Sequence, residues 1–214
     1  MLKPDFFSPY SELAVQLLPG NQVGGDGAHD LSHIIRVFRN AMRIHAIEGG
    51  DGRILSAATF LHDCVAVEKN SPLREKASAL AAEQATVILA SLGWTEPDIK
   101  AVAHAILTHS FSANIPPETI EAKILQDADR LDSIGIVGAS RCFYTGGRMN
   151  SALYDPFDPL AKARDLDDKR YCLDHFETKL LKLSQGFQTE TGGRMAKERD
   201  KRLRDFLSAF LDEI

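Results

Sequence analysis

The stretch from Asp51 to Val65 constrains the fold most. On a helical wheel it is apolar on nearly every side, through Ile54, Leu55, Ala57, Ala58, Phe60, Leu61 and Val65, and Asp51 is placed to cap its start. Such a helix has no face to give to water, so it is expected at the centre of the fold, wrapped by other elements. It also carries His62 and Asp63 side by side. Desolvating a carboxylate costs several kcal/mol, so an aspartate in this helix needs a partner. A metal ion is one; a histidine hydrogen-bonded to its neighbour or to backbone is the plainer alternative.

The rest of the chain supplies the wrapping. Helical periodicity recurs from Leu31 to the C-terminus and strand-like alternation is almost absent, so an all-α fold is expected. A short helical piece around Ser11 to Leu18 precedes a glycine-rich loop, Gly20 to Gly27. This is no phosphate loop, because it lacks the Lys-Ser/Thr ending and a preceding strand. Leu31, Ile34, Ile35, Phe38, Ala41 and Met42 predict a helix ending at Gly49 and Gly50, with Arg36, Arg39 and Arg43 on its opposite face. Ser71-Pro72 opens a helix running to Gly93, and Thr95-Glu96-Pro97 opens another through His109. After a turn at Pro116-Pro117, EAKILQDADRLDSIGIVGAS reads as one helix passing Asp127, Asp129 and Asp132. Arg141 to Asp168, with its glycines and prolines, reads as a long irregular loop able to cover a site. Two amphipathic helices close the chain, one with Phe176, Leu180 and Leu183, the other with Leu203, Phe206, Leu207, Phe210 and Leu211.

Composition excludes several classes. With 44% apolar and 26% charged residues, the 214-residue chain is neither a disordered segment nor a disulfide scaffold. Its net charge of -5 argues against non-specific nucleic-acid binding. Cys64, Cys142 and Cys172 lack metal-finger spacing and read as buried thiols in a reducing compartment. No signal sequence and no membrane-length apolar run is present, so a cytoplasmic location and no membrane partner are expected.

A metal site needs ligands from more than one helix. His33 lies at the margin of the apolar face of its helix, where a side chain can reach a cleft between helices. His29, one turn earlier, either approaches the same cleft or serves as a loop or cap residue. His45 falls in the middle of the apolar face and reads as a core histidine with its polar atoms satisfied. His109 borders an apolar face and suits substrate or second-metal contact, whereas His104 faces the polar side and reads as a surface residue.

His33, then His62-Asp63, then Ala128-Asp129-Arg130-Leu131 resemble the H…HD…D signature of HD-domain phosphohydrolases. AHDLSHIIRV, FLHDCVAVEK, ILQDADRLDSIGIVG and HFETKLLKL followed by TETGGRMAKER resemble the bacterial branch related to HD-domain nucleotide pyrophosphohydrolases. The resemblance implies a helical HD bundle with a C-terminal helical extension. It divides the chain into an N-terminal segment 1–28, a metal-binding core 29–140, and a covering loop with packed helices 141–214, all one domain. It implies His33, His62, Asp63 and Asp129 as metal ligands. The residues alone leave Asp127 and Asp132 open as the fourth ligand or as groups orienting a ligand or water.

Imidazoles and carboxylates without thiolate suit divalent Mn first, then Fe, Co, Ni or Zn, and Mg less well. Such an ion activates water, so no serine or cysteine nucleophile is required. Asp63 and Glu68 are the candidates for proton transfer. Arg36, Lys69 and Arg130, close in sequence to proposed ligands, are candidates for holding phosphate, with His109 and His29 as further substrate contacts. The resemblance to the pyrophosphohydrolase branch implies hydrolysis of a phosphorylated small molecule, a nucleotide, to monophosphate and pyrophosphate. A phosphomonoesterase, a phosphodiesterase or a non-catalytic nucleotide sensor is the alternative, and the apolar C-terminal helices allow a homodimer.

Overall fold

A computed structural model describes residues 4–18, 30–65, 67, 76–110 and 114–214. Its regular structure is α-helical, in agreement with the periodicity, and no strand occurs among the described residues. The chain divides into two compact units, residues 1–129 and 130–214.

In the first unit, a 3₁₀ turn Pro4–Phe7 leads into α1 (Ser11–Leu17), then α2 (Leu31–Glu48) and α3 (Gly52–Leu61). The α2 helix starts at Asp30, whose side chain accepts from the His33 amide, and stops at Gly49, whose φ of 79° favours glycine. Asp51 caps α3 by accepting from the amides of Arg53 and Ile54. Every α3 residue except Arg53 is buried, as its all-round apolar wheel requires. At Gly52 a Cβ would collide with the Tyr10 hydroxyl, so only glycine lets the α1 entry pass so close. Phe7, Phe38 and Phe60 form a core cluster with ring centroids 5.1 to 5.3 Å apart.

Around α3 pack α1, α2, α4 (Ala77–Ser91) and α5 (Glu96–Thr108). Thr95 caps α5 through the Asp98 amide, with Pro97 in the first turn. The proposed opening of α4 at Ser71-Pro72 and the loop at Gly20 to Gly27 lie outside the described residues. The next helix, α6 (Ile120–Leu131), carries Asp127 and Asp129 and continues across the boundary between the units.

Four expected helix boundaries are corrected. The HD pair is not inside α3: that helix ends at Leu61, and His62 and Asp63 form the turn that follows. The stretch through Asp132 is not one helix. Ile134 is extended and Gly135 has φ of 74°, so α6 stops and α7 (Gly135–Arg148) begins anew. Buried Asp132 pairs with Arg141 at 2.7 Å across this break. Residues 141–148 are therefore helix, not loop; Gly146 lies inside α7 because a Cβ would collide with Cys172 Sγ. The segment with Phe176 and Leu180 is a short α8 (Asp174–Thr178) and a 3₁₀ turn Leu180–Lys182, interrupted at Lys179.

The second unit closes with α9 (Glu190–Asp212), which packs on α7. Phe206 and Phe210 of α9 join Phe143 and Phe176 in an aromatic cluster. Between α7 and α8 the chain is held by Arg164, whose guanidinium grips both oxygens of buried Asp174 at 2.6 and 2.9 Å. Of the three cysteines only Cys172 is buried; Cys64 and Cys142 are half-buried, which corrects the expectation of three buried thiols.

Candidate metal centre

Three helix ends in the first unit converge. The first turn of α2 supplies His33, the residue after α3 supplies His62, and the last turn of α6 supplies Asp129. His33 and His62 are each 1% exposed, whereas the side chains of Asp63 and Asp129 are 31% and 28% exposed. Imidazoles thus form the floor and carboxylates the rim.

The Nε2 atoms of His33 and His62 lie 3.2 Å apart. His33 Nε2 is 3.6 Å from Asp63 Oδ2 and 3.5 Å from Asp129 Oδ1. His62 Nε2 is 3.6 Å and 3.9 Å from the same two atoms. One divalent ion with bonds of about 2.1 Å holds neighbouring donors about 3 to 4.2 Å apart, from right-angled to opposite positions. All five separations fall in that range: His33, His62 and Asp129 form one group able to hold an ion, and Asp63 Oδ2 lies within reach of both histidines. Among the described residues a second overlapping group consists of His62, Asp63 and His109. Asp63 joins the two, because its Oδ1 lies 4.0 Å from His109 Nε2 while its Oδ2 faces the other histidines.

Backbone carbonyls orient the rings. His62 Nδ1 donates to the Thr59 carbonyl at 2.8 Å, and His109 Nδ1 donates to the Ile106 carbonyl at 2.6 Å. Each ring follows the last turn of its helix and donates to a carbonyl of that turn, leaving Nε2 with its lone pair directed inward. Thr59 gives its carbonyl to this imidazole in the turn where α3 ends. Burial holds the His62 pKa below its ordinary value; Asp63 and Asp129 oppose that effect, and His109 and His33 reinforce it. Its neutral form, the one that binds metal, is therefore favoured. Burial pushes the Cys64 thiol beside Asp63 up to about 11, so it is a poor nucleophile.

The other proposed residues are distributed more widely. Asp127 is fully buried and outside the donor cluster, and Asp132 is paired with Arg141. Arg36 donates to Ser32 Oγ at 2.8 Å, and Ser32 in turn donates to Asp30, the α2 cap. Within the second unit Arg130 donates to the carbonyls of Gly186 and Gln185 and covers the Phe187 ring. His29, Glu68 and Lys69 lie outside the described residues. His45 is half-buried, not a core residue, with Nε2 3.1 Å from the Gly50 carbonyl; half-buried His104 accepts from the Glu118 amide.

Two buried amides escaped the sequence reading. Asn40 donates to the Ala128 carbonyl at 3.1 Å, and Gln126 donates to the Thr108 carbonyl at 2.8 Å. The available signal was an Asn two turns after His33 on the same buried face, among Val37, Ala41 and Ile44.

The HD domain family model matches residues 30–134, which contain every residue of this cluster. YpgQ of Bacillus subtilis is 31% identical over 183 residues, covering 84% of this chain and 81% of YpgQ. Among solved structures, YpgQ of Bacillus subtilis in complex with ADP is similar with 30% identity, a TM-score of 0.71 and 95% of each chain covered. An HD-superfamily hydrolase from Bacillus thuringiensis is similar with 28% identity, a TM-score of 0.72 and 94% of each chain covered. The chain belongs to the HD domain family and is a metal-dependent hydrolase of that superfamily.

Proposed function

We propose that the enzyme hydrolyses nucleoside triphosphates at the α-phosphate, giving a monophosphate and pyrophosphate, with Mn as the preferred ion. The observation that carries this reading is the convergence of two buried imidazoles and two partly exposed carboxylates at metal-ligand spacing. The ADP bound to Bacillus subtilis YpgQ supports a nucleotide as the ligand class.

In this reading His33, His62, Asp63 and Asp129 hold the ion. When bound, it supplies Lewis acidity that polarises a phosphoryl oxygen and brings the pKa of water toward neutral. Asp63, open to solvent on the rim, accepts the proton of the attacking water, whose oxygen bonds to the α-phosphorus as the bond to the bridging oxygen breaks. Pyrophosphate leaves with that electron pair. His109 faces the Oδ1 side of Asp63 and contacts substrate there. Arg36 and Lys69 offset the charge of the leaving polyphosphate, and Glu68 relays the proton.

Product chromatography after incubation of ATP and dATP with Mn²⁺ tests this reading. Monophosphate with pyrophosphate is expected. Orthophosphate without pyrophosphate, or cleavage confined to monophosphates or cyclic diesters, would reject it.

A further inference from the structure

We infer that Asn40 and Gln126 are positioning residues that set the spacing of the metal donors, an inference that rests on the ligand reading above. Ala128 opens the last turn of α6, and Thr108 is the last residue of α5. Carbonyls at helix C-termini lack full intrahelical partners and need donors when buried. Here both donors are side-chain amides from a neighbouring helix, 3% and 4% exposed.

Each amide also ties together two donor-bearing elements. Asn40 lies on α2, the helix of His33, and bonds the residue immediately before Asp129. Gln126 lies on α6, the helix of Asp129, and bonds the residue immediately before His109. The His33 to Asp129 separation of 3.5 Å therefore spans a pair of helices locked by Asn40. Gln126 locks α6 to the end of α5, where the His109 ring is set 4.0 Å from Asp63. A carbonyl committed to an amide fixes both the axial position and the rotation of its helix at the turn where a donor departs.

Asn40→Leu and Gln126→Met keep most of the side-chain volume and remove the donor. Asn40→Ser serves where Asn40→Leu does not fold, because its hydroxyl is too short to make the same bond. Mn²⁺ affinity of the full chain is read from the electron paramagnetic resonance of the free ion, beside Tm in EDTA and in saturating Mn²⁺. Each variant is expected to bind Mn²⁺ about tenfold more weakly, with a smaller Tm increase on adding the ion. Wild-type affinity in the variants, with Tm lowered equally with and without Mn²⁺, assigns the amides a purely structural role and overturns the inference. In that case loss of binding in His62→Ala leaves the ligand reading standing. No Mn²⁺ binding by the unsubstituted protein overturns both.

Discussion

His33 and His62, 29 positions apart in the chain, present their Nε2 atoms to one another at 3.2 Å in a site that excludes solvent from both rings. Two neutral imidazoles in that arrangement share at most one proton, and His62 already commits its Nδ1 hydrogen to Thr59. A cation between them satisfies both lone pairs, and the two carboxylates supply the opposing charge. Losing one ligand should therefore be severe. His62→Ala or Asp63→Asn is expected to weaken Mn²⁺ binding by more than about 100-fold, beyond the cost of losing a supporting partner. Metal content by mass spectrometry after Mn²⁺ loading and desalting checks this; unchanged content in both variants contradicts it.

The two candidate aspartates of α6 separate cleanly. Asp129 Oδ1 lies within 3.9 Å of both histidines, whereas Asp127 is fully buried and outside the donor cluster. Asp129→Asn should lose the ion and turnover, while Asp127→Asn should retain the ion and lower Tm. The reverse pattern of metal content reassigns the fourth ligand.

Removing the ion should expose a pH dependence. Burial, opposed by Asp63 and Asp129, holds His62 below its ordinary 6.5 in the folded protein. The unfolded chain then takes up the proton first as pH falls, so stability from this group is present above the unfolded value and is lost between that value and the lower folded one. Tm in EDTA should fall more steeply for the wild type than for His62→Gln as pH is lowered from about 7.5 to about 5.5. Parallel profiles would contradict the assignment.

The break between α6 and α7 depends on close backbone approach. A Cβ at Gly138 would fall within 2.6 Å of the Ser133 carbonyl group, which is backbone and cannot swing aside. Gly138→Ala is therefore expected to destabilise the protein by about 1 to 3 kcal/mol, measured by urea unfolding, and a neutral result would mean that the turn relaxes freely.

Much of this was legible in the sequence because it rests on local chemistry. The wheel of residues 51–65 placed α3 at the centre, and Asp51, Thr95 and Gly49 marked helix ends where the structure has them. His33, His62 and Asp63 were nameable as candidates from residue types and order, while Asp129 was singled out from Asp127 and Asp132 only by the resemblance to the HD signature. The errors concern helix ends and packing decided by side-chain contacts that periodicity does not display. α3 stops where Thr59 gives its carbonyl to an imidazole. Gly146 reads as a turn signal but serves close packing against Cys172, so α7 runs through it. Asn40 and Gln126 bond carbonyls 88 and 18 positions away, and nothing in a local window announces such partners.

The central claim is that His33 and His62 bind one ion together. Electron spin-echo envelope modulation of the Mn²⁺-loaded protein reads directly coordinated imidazole nitrogens. Modulation from two histidine nitrogens is predicted, falling by one in His33→Ala prepared with enough Mn²⁺ to fill the weakened site. Mn²⁺ bound with no nitrogen modulation, or modulation unchanged in His33→Ala, would contradict the account.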